Sequence, residues 1–390
     1  MKPLAPNPLQ MPSSGIRQIM NLALTMENVL HVEVGEPDFP TPPHIVAAAH
    51  AAAEAGFTRY TANAGLPSLR QALAAKLARV NGLSPSPEQI TVTVGAVSGL
   101  MLSLTALVEA GDEVLLPDPG WPNYEMMVRT LGATVVRYPL DPARGFLPDL
   151  NAMAALVTPR TRAIMLNSPG NPTGAVFPGD LVEGLVRLAE AHDLWIISDE
   201  VYEQIIFDGE HVSPARFDRD GRVISVFSFS KSYAMTGWRV GYLVAPPPVS
   251  AVINKLQEPF VSCASAVSQK AAEAALLGPQ ACVETMCHAY LRRRDLAVDL
   301  LKQYGLFTYA PRGAFYTMVD ISRATLDTYG FAQHLLQTRR VAVAPGETFG
   351  PSGQGFVRIA LCVADETLRQ ALAAIAEAVS AAAKGRSSRI

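Results

Sequence analysis

The chain of 390 residues contains little cysteine. Its four cysteines, Cys263, Cys282, Cys287 and Cys362, are not placed at metal-ligand spacings. Four thiols in a chain of this length do not make a disulfide framework. We therefore expect no metal site and no disulfide-stabilised secreted fold, and the pattern is typical of a protein of the reducing cytoplasm.

Long apolar runs and blocks of basic residues are also absent. No run approaches the roughly 18 apolar residues of a membrane span, and prolines at positions 3, 6, 8 and 12 interrupt the N-terminus, unlike a signal peptide. We expect no membrane partner. The 32 Lys and Arg residues and the 35 Asp and Glu residues give a formal charge of −3. The chain therefore lacks the excess of basic residues that is typical of a nucleic-acid-binding protein.

The composition does provide material for a core. Hydrophobic residues make up 49% of the chain and charged residues 17%, which excludes a disordered chain. At about 150 residues per domain, the length predicts two or three domains, or one large unit with a smaller lobe.

The middle of the chain alternates helical patterns with short apolar runs. The helical patterns cover 44–55, 66–80, 96–108, 121–131 and 180–192. The strand patterns cover 89–94, 113–117, 134–138, 163–167, 195–198, 223–228 and 240–244. Strands separated by helices require right-handed crossovers, so the sequence predicts an α/β fold with a doubly wound, mainly parallel, seven-stranded sheet.

The two ends of the chain predict a smaller α+β lobe. Residues 1–14 are proline-rich and predict an extended arm, and helical spacing follows from Ile16 to Leu24. The later patterns predict helices at 283–304 and 365–383 and strands at 314–319, 341–344 and 356–361. We therefore expect an arm with part of the small domain at 1–44, a large domain at 45–285 and the small C-terminal domain at 286–390.

Residues whose side chains can act in catalysis or ligand binding follow several predicted strands. Ligands of an open parallel sheet bind outside the carboxyl ends of its strands. The residues at these positions are Gly95, Ala96 and Val97, then Asn171, then Asp199 with Tyr202, and finally Ser228, Ser230 and Lys231 with Arg239. Alone, most of them have a simpler explanation as a helix cap or an ordinary turn.

Lys231 is the exception, because lysine is rarely placed at the end of a buried strand without a partner or a task. The set combines an amine nucleophile, a buried carboxylate, an amide with a phenol, and a strand-to-helix turn with an arginine that suits a phosphate. These groups together describe a site for pyridoxal phosphate.

The same segments carry a resemblance to a known family. From Gly35-Glu-Pro-Asp-Phe39 through Tyr60, Asn171, Asp199, Lys231 and Arg239 to Arg358, the sequence resembles the class I and II aminotransferases. The resemblance places it in the prokaryotic aspartate-aminotransferase-like subgroup of the fold-type-I pyridoxal-phosphate superfamily. The stretch from Ser228 to Gly241 is the most specific part.

The resemblance implies a role for each catalytic residue. Lys231 would form the internal aldimine and then move a proton between the substrate α-carbon and the cofactor. Asp199 would keep the pyridine nitrogen protonated, Asn171 and Tyr202 would hydrogen-bond the ring oxygen, and Trp121 would stack on the ring. Asn171 and Trp121 would also contact the substrate.

The resemblance also implies how anions and a second subunit are bound. The phosphate would be held by Arg239, Ser228, Ser230 and the turn formed by Gly95, Ala96 and Val97. Tyr60 would reach the phosphate of a neighbouring subunit, which implies a homodimer with shared active sites. Arg358 would clamp the substrate α-carboxylate beside the backbone of Gly35.

Two positions depart from the family or fit it poorly. Members that act on dicarboxylates often carry a lysine where this chain has Val97, and the arm supplies only Arg17 as a cation. We therefore predict ping-pong transamination between a 2-oxo acid and a neutral, apolar or aromatic amino acid. Glu33 lies in an apolar run, and we expect it to face water on an edge strand.

Other functions remain open at this point. A pyridoxal-phosphate β-lyase or an aspartate-specific aminotransferase would use the same residues. A nucleotide-binding oxidoreductase would need a Gly-x-Gly-x-x-Gly turn, which the turn from Gly95 to Gly99 does not supply. A binding protein without catalysis would lack Lys231.

Overall fold

The computed structural model describes residues 2, 4, 6–9 and 11–387. Its strands are β1 Leu30–His31, β2 Ile90–Thr93, β3 Glu113–Asp118, β4 Thr134–Asp141, β5 Leu147–Pro148, β6 Thr161–Asn167, β7 Trp195–Asp199, β8 Val223–Ser228, β9 Gly241–Val244, β10 Tyr316–Asp320, β11 Val341–Ala342, β12 Ala344–Pro345 and β13 Phe356–Ala360.

The helices lie between these strands along the chain. They are α1 Pro6–Leu9, α2 Gly15–Ala23, α3 Pro43–Glu54, α4 Pro67–Lys76, α5 Gly95–Leu107, α6 Pro122–Thr130, α7 Leu150–Ala155, α8 Gly179–Ala191, α9 Phe229–Ser232, α10 Pro247–Val261, α11 Ala266–Leu277, α12 Ala281–Gln303, α13 Thr328–Arg339 and α14 Asp365–Ser387.

The large sheet confirms the predicted α/β architecture. Its order is β2-β9-β8-β7-β6-β3-β4-β5. Strands β4, β3, β6, β7 and β8 are parallel, and β9 runs antiparallel to both of its neighbours. The prediction of seven strands was short by one, because β5 contributes only two residues, one of them proline, and pairs at the edge with β4.

Alternation within the strands explains why helices cover both faces. In β7, Ile196 belongs to the buried cluster that contains Leu185 of α8, whereas Ile197 belongs to the cluster that contains Leu100 of α5. Successive side chains of a strand point to opposite faces. A strand that is apolar at both positions must therefore be covered on both sides.

The small sheet is built from three strands near the C-terminus, and β1 forms a separate two-stranded sheet with β11. Strands β10, β13 and β12 are antiparallel, and β1 pairs in parallel with β11. The backbone of Val32 then bonds to Ala342 and Ala360. These contacts between distant segments support our proposal that residues 1–44 join residues 286–390 in a small domain beside a domain at 45–285.

Several predicted elements need correction. Pro6–Leu9 forms one helical turn rather than an extended arm. The predicted helix 66–80 is α-helical only to Lys76 and then passes into a π-helical turn, Leu77–Asn81. The strand predicted at 314–319 begins at Tyr316, because Ala314 has a φ of +55°, which a strand does not adopt.

The single strand predicted at 341–344 divides between two sheets as β11 and β12. Helices α7, α9, α10, α11 and α13 lie outside the predicted elements. Within the described residues, no helix combines the length and apolar character needed to cross a membrane.

Candidate active site

A pocket of about 760 Å³ opens at the carboxyl ends of β6, β7 and β8. It brings together twelve of the predicted site residues: Gly35, Ala96, Val97, Trp121, Asn171, Asp199, Tyr202, Ser228, Ser230, Lys231, Arg239 and Arg358. Gly95 lies behind Arg239, and Tyr60 lies outside the pocket. The structure therefore brings most of the residues predicted at the strand ends together in one pocket.

Lys231 lies on α9, the single turn that follows β8. The Ser228 hydroxyl accepts a hydrogen bond from the backbone N–H of Ser230 at 3.1 Å and so begins this turn. The Lys231 Nζ donates to the carbonyl oxygen of Gly35 at 2.7 Å. Burial lowers the pKa of Lys231 from 10.5 to about 8, so a useful share of the amine is neutral near physiological pH.

Asp199 ends β7 and is buried at the centre of the pocket. Its Oδ2 accepts a hydrogen bond from the Tyr124 hydroxyl at 2.7 Å, and the backbone N–H of Val201 donates to its Oδ1 at 3.3 Å. Burial raises the pKa of Asp199 from 3.8 to about 6, and the bond from Tyr124 opposes that rise. The carboxylate is thus ionised at neutral pH and able to pair with a cation.

Two phenols line the pocket beside Asp199. The hydroxyls of Tyr202 and Tyr316 lie 2.9 Å apart and share a hydrogen bond. Burial raises the pKa of Tyr202 well above its ordinary value, so the phenol stays protonated. Gly35 permits this arrangement, because a Cβ there would overlap the Tyr316 hydroxyl.

The turn between β2 and α5 suits an anion. Gly95 begins α5 with a φ of +69°, and the first amides of a helix have no partner within the helix. The Arg239 guanidinium lies against this turn, since a Cβ on Gly95 would come within 2.5 Å of Nη2. Free amides with a cation beside a helix N-terminus bind phosphate, and Ser228 and Ser230 complete the same wall.

Arg358 on β13 is buried without an acidic partner. Its Nη1 donates to Asn171 Oδ1 at 3.1 Å and its Nη2 donates to the carbonyl oxygen of Glu33. The guanidinium lies over the Tyr316 ring at 4.4 Å from its centroid. Nε has no hydrogen-bond partner, and no carboxylate of a described residue lies within 4.0 Å. Burial disfavours the charged form and lowers the pKa of Arg358, and a carboxylate from a ligand would stabilise this unpaired charge.

The sequence of nearly the whole chain matches one protein family. The model for "Aminotransferase class I and II" matches residues 27–375. The chain belongs to the class I and II aminotransferases. These enzymes are pyridoxal-phosphate-dependent transaminases of fold type I, and we assign aminotransferase activity to this chain on that basis.

The relatives differ in their substrates. An aspartate/prephenate aminotransferase of Thermus thermophilus is 40% identical over 348 residues, which are 88% of this chain and 89% of the relative. An arginine–pyruvate transaminase of Pseudomonas aeruginosa is 42% identical over 352 residues, 90% of each chain. The solved aspartate aminotransferase of Thermus thermophilus with maleate has a TM-score of 0.93 at 38% identity and covers 97% of this chain and 100% of its own.

The structure corrects the prediction for Glu33, which was expected to face water. Its side chain is fully buried at the wall of this aminotransferase's pocket, with Oε1 2.8 Å from Nδ1 of His31. The reason is the neighbouring backbone: Val32 bonds to Ala342 on one side and to Ala360 on the other. The segment therefore runs between strands instead of forming an open edge.

Three residues of the site were missed from the sequence: Tyr124, Asn167 and Tyr316. Asn167 ends β6, donates to the carbonyl oxygen of Asp199 at 3.0 Å and accepts from the Asn171 N–H at 2.8 Å. Because ligands bind at the carboxyl ends of parallel strands, the position of Asn167 at the end of a predicted strand was a signal that could have identified it. Tyr124 and Tyr316 left no local signal, because their partners are far away in the sequence.

Proposed function

We propose that this aminotransferase moves an amino group from an L-amino acid to a 2-oxo acid in two successive half-reactions at one site. The observation that carries the proposal is the position of Lys231. Its amine lies in the pocket with a pKa lowered to about 8. The same pocket holds a carboxylate, a phosphate-binding turn and an unpaired arginine.

The pocket fits pyridoxal 5'-phosphate as the cofactor. Arg239, Ser228, Ser230 and the amides of Ala96 and Val97 would hold the phosphate. Asp199 would pair with the pyridine nitrogen, Asn171 and Tyr202 would bond the ring oxygen, and Trp121 would cover the ring. When bound, the cofactor supplies an aldehyde that accepts the amino group and a ring that stabilises negative charge at the α-carbon.

The protein's own groups divide the work. Lys231 would attach the cofactor through Nζ and then carry the proton to and from the substrate α-carbon. Arg358 would hold the α-carboxylate, which fixes the α-carbon relative to Lys231 Nζ. The Gly35 carbonyl, which accepts from Lys231 at 2.7 Å, orients that amine.

We propose a neutral, apolar or aromatic amino donor. The wall beside the phosphate turn carries Ile16, Met20, Val97, Trp121 and Met126. Val97 is 38% exposed, so an apolar surface is presented where a lysine would attract a second carboxylate. The substrates named for the relatives are aspartate, prephenate and arginine with pyruvate, and they do not fix the donor of this chain.

We also propose that the enzyme is a homodimer with shared sites. Tyr60 is 91% exposed. Phe57, three positions earlier in the chain, is also exposed, and so are Phe260 and Val261 at the end of α10. The two segments are in contact, because the Thr61 N–H donates to Cys263 Sγ. An apolar surface of this kind suits a second copy of the chain, which would place Tyr60 at the partner's phosphate. A cytoplasmic location remains a prediction from the cysteine pattern.

The test is a survey of amino donors with the purified holoenzyme. We expect leucine, methionine or phenylalanine to be turned over better than aspartate, and Lys231→Ala to abolish cofactor attachment and turnover. Lys255→Ala, an exposed lysine on α10 outside the pocket, is the control and should keep both. A clear preference for aspartate would favour the aspartate-specific alternative.

A further inference from the structure

A second cavity, of about 350 Å³, lies beside the turn that carries Lys231. It is bounded by the end of α4, by Tyr233 after α9 and by the first turns of α12. None of its lining residues belongs to the pocket that contains Lys231. Its volume lies within the range of about 300–1,000 Å³ that is usual for small-molecule sites. Neither the proposed cofactor nor the proposed substrates use it.

One cation of this cavity already has its partners. The Lys76 Nζ donates to a carboxylate oxygen of Glu203, and both side chains are almost completely buried. It also donates to Asn81 Oδ1 at 2.9 Å and to the Tyr242 hydroxyl at 3.1 Å. An ammonium group has three N–H donors, so Lys76 has none left for a ligand.

Two opposite charges line the same cavity without a partner. Arg79 lies in the π-helical turn Leu77–Asn81 that follows α4, and Glu284 lies in the first turn of α12. In the part of the chain that the structure describes, neither side chain makes a hydrogen bond or an ion pair, even with the other. The guanidinium and the carboxylate are therefore more than 4.0 Å apart, on two different elements of the wall. Single π-helical turns are frequent at functional sites.

Charges of opposite sign that are separated in this way suit a zwitterion. A free α-amino acid carries its carboxylate and its ammonium on one carbon, so the carboxylate can pair with Arg79 and the ammonium with Glu284. A dicarboxylate would place an anion against Glu284, and a diamine would place a cation against Arg79. Val80 and Val283 belong to the same wall and can contact an aliphatic side chain.

Tyr233 lies between this cavity and the active site. It comes two positions after Lys231, and its hydroxyl donates to Gln280 Oε1 at 2.8 Å, just before α12. Burial raises the pKa of Tyr233 to about 12, and the charge of Arg79 opposes that rise. Helix α12 crosses the proposed domain boundary at residues 285 and 286. An occupant of the cavity would therefore contact both the catalytic turn and the helix that leads into the small domain.

We propose that this cavity is a second amino-acid site, at which a free α-amino acid with an aliphatic side chain binds as a zwitterion without reacting. Arg79 holds its carboxylate and Glu284 holds its ammonium. Lys76, the one lysine among the described residues that line the cavity, is held by Glu203 and takes no part. This inference is independent of the donor that we propose for the active site.

The amine form of the holoenzyme tests the site, because bound pyridoxamine phosphate has no aldehyde with which an amino acid can react. The ligands for calorimetric titration are leucine, 4-methylpentanoate, which lacks the ammonium, and 3-methylbutylamine, which lacks the carboxylate. We expect leucine to bind at least roughly 10-fold more tightly than either of the other two. This binding should persist in Arg358→Gln, which removes the carboxylate clamp proposed for the active site.

Arg79→Gln and Glu284→Gln should each weaken leucine binding by roughly 10-fold. The matched control is Arg187→Gln, an exposed arginine on α8 that is paired with Glu183 and lines neither cavity. Its affinity for leucine should equal that of the wild type. Because all three changes are at exposed side chains, the midpoints of thermal unfolding should stay within about 2 °C of the wild type.

Three results would overturn the proposal. They are equal binding of the three ligands, leucine binding that Arg79→Gln and Glu284→Gln leave unchanged, and leucine binding that disappears in Arg358→Gln, which would assign it to the active site. The titrations involve no turnover, so their failure would leave the proposed function intact. An enzyme that forms no new amino acid would overturn the proposed function, and the same titrations would still decide on the second site.

Discussion

The hydroxyl of Tyr124 donates a hydrogen bond to Asp199 Oδ2 at 2.7 Å. Tyr124 lies on α6 and Asp199 ends β7, and both are buried. The bond favours the ionised form of a carboxylate whose pKa burial raises to about 6. The phenol therefore keeps the cofactor's proposed partner charged, and it does not give up its own proton to the carboxylate, because burial raises the pKa of Tyr124 well above its ordinary value.

Removal of this phenol should make cofactor affinity depend on pH in the neutral range. Only ionised Asp199 can pair with a protonated pyridine nitrogen, so affinity in the wild type should fall as the pH drops through about 6. In Tyr124→Phe the pKa of Asp199 rises further, and the loss begins at higher pH. We expect affinity for pyridoxal phosphate at pH 7 to fall by roughly 10-fold, measured by titrating the apoenzyme from pH 5 to 8.

The groups facing Asp199 determine how its pKa responds to the loss of the Tyr124 hydroxyl. They are Tyr124 on α6, Glu200 and Tyr202 after β7, Lys231 on α9 and Tyr316 on β10. The control is Tyr138→Phe, which removes an equally buried hydroxyl whose bond goes to the carbonyl oxygen of Met165, away from the pocket. A pH profile shared by both variants would refute a specific role for Tyr124.

A methyl group at Gly35 should damage the site through Tyr316. The Cβ of Gly35→Ala would overlap the Tyr316 hydroxyl and disturb both its bond to Tyr202 and the Gly35 carbonyl that orients Lys231. We expect kcat to fall by roughly 10-fold or more. Ring carbons of Tyr316 would also overlap the Cβ, so only removal of the whole ring relieves the overlap. The double variant Gly35→Ala with Tyr316→Ala should therefore lose less activity than the losses of the two single variants multiplied together.

Gly179→Ala is the matched control for that experiment. At Gly179 the nearest atom to a Cβ would be 3.7 Å away, an ordinary contact, and the residue begins α8 outside the pocket. Activity should be unchanged. If the two losses simply multiply in the double variant Gly35→Ala with Tyr316→Ala, the steric explanation is wrong.

Shared active sites should be revealed by mixing two inactive dimers. In a dimer of Lys231→Ala with Tyr60→Ala, one site would have both changes and the other would have neither. Random exchange of subunits should then restore about a quarter of the wild-type activity, because half of the dimers are mixed and each has one intact site of two. Mixtures of Lys231→Ala with Asp199→Ala should restore none, since both residues serve the same subunit's site. Recovery in neither mixture would contradict the role of Tyr60.

The sequence predicted most of the large sheet because its strands carry their signal locally. Each buried parallel strand is a short apolar run, and ligands bind just past such runs, so Asp199 and Lys231 could be found without coordinates. Local sequence patterns do not predict contacts between side chains that are distant in the sequence. Tyr124 reaches Asp199 from helix α6, 75 positions earlier in the chain.

The errors have the same origin. Glu33 looks like a surface residue in its local sequence, and it is buried because Val32 bonds to two strands more than 300 residues away. The position of the Arg17 side chain could not be predicted for a similar reason. Its helical spacing was visible, but the packing of α2 beside the pocket depends on Thr348 and on residues of the small sheet.

The most direct test of transamination by this enzyme is a single half-reaction followed by absorbance and product analysis. The holoenzyme is mixed with an excess of one neutral amino acid, without any 2-oxo acid. We predict release of one equivalent of the matching 2-oxo acid per Lys231, conversion of the cofactor to its amine form, and no further product until an acceptor restores the aldehyde. With a donor that carries a β leaving group, such as cysteine, continuous release of pyruvate, ammonia and the leaving group without an acceptor would contradict transamination and identify a β-lyase.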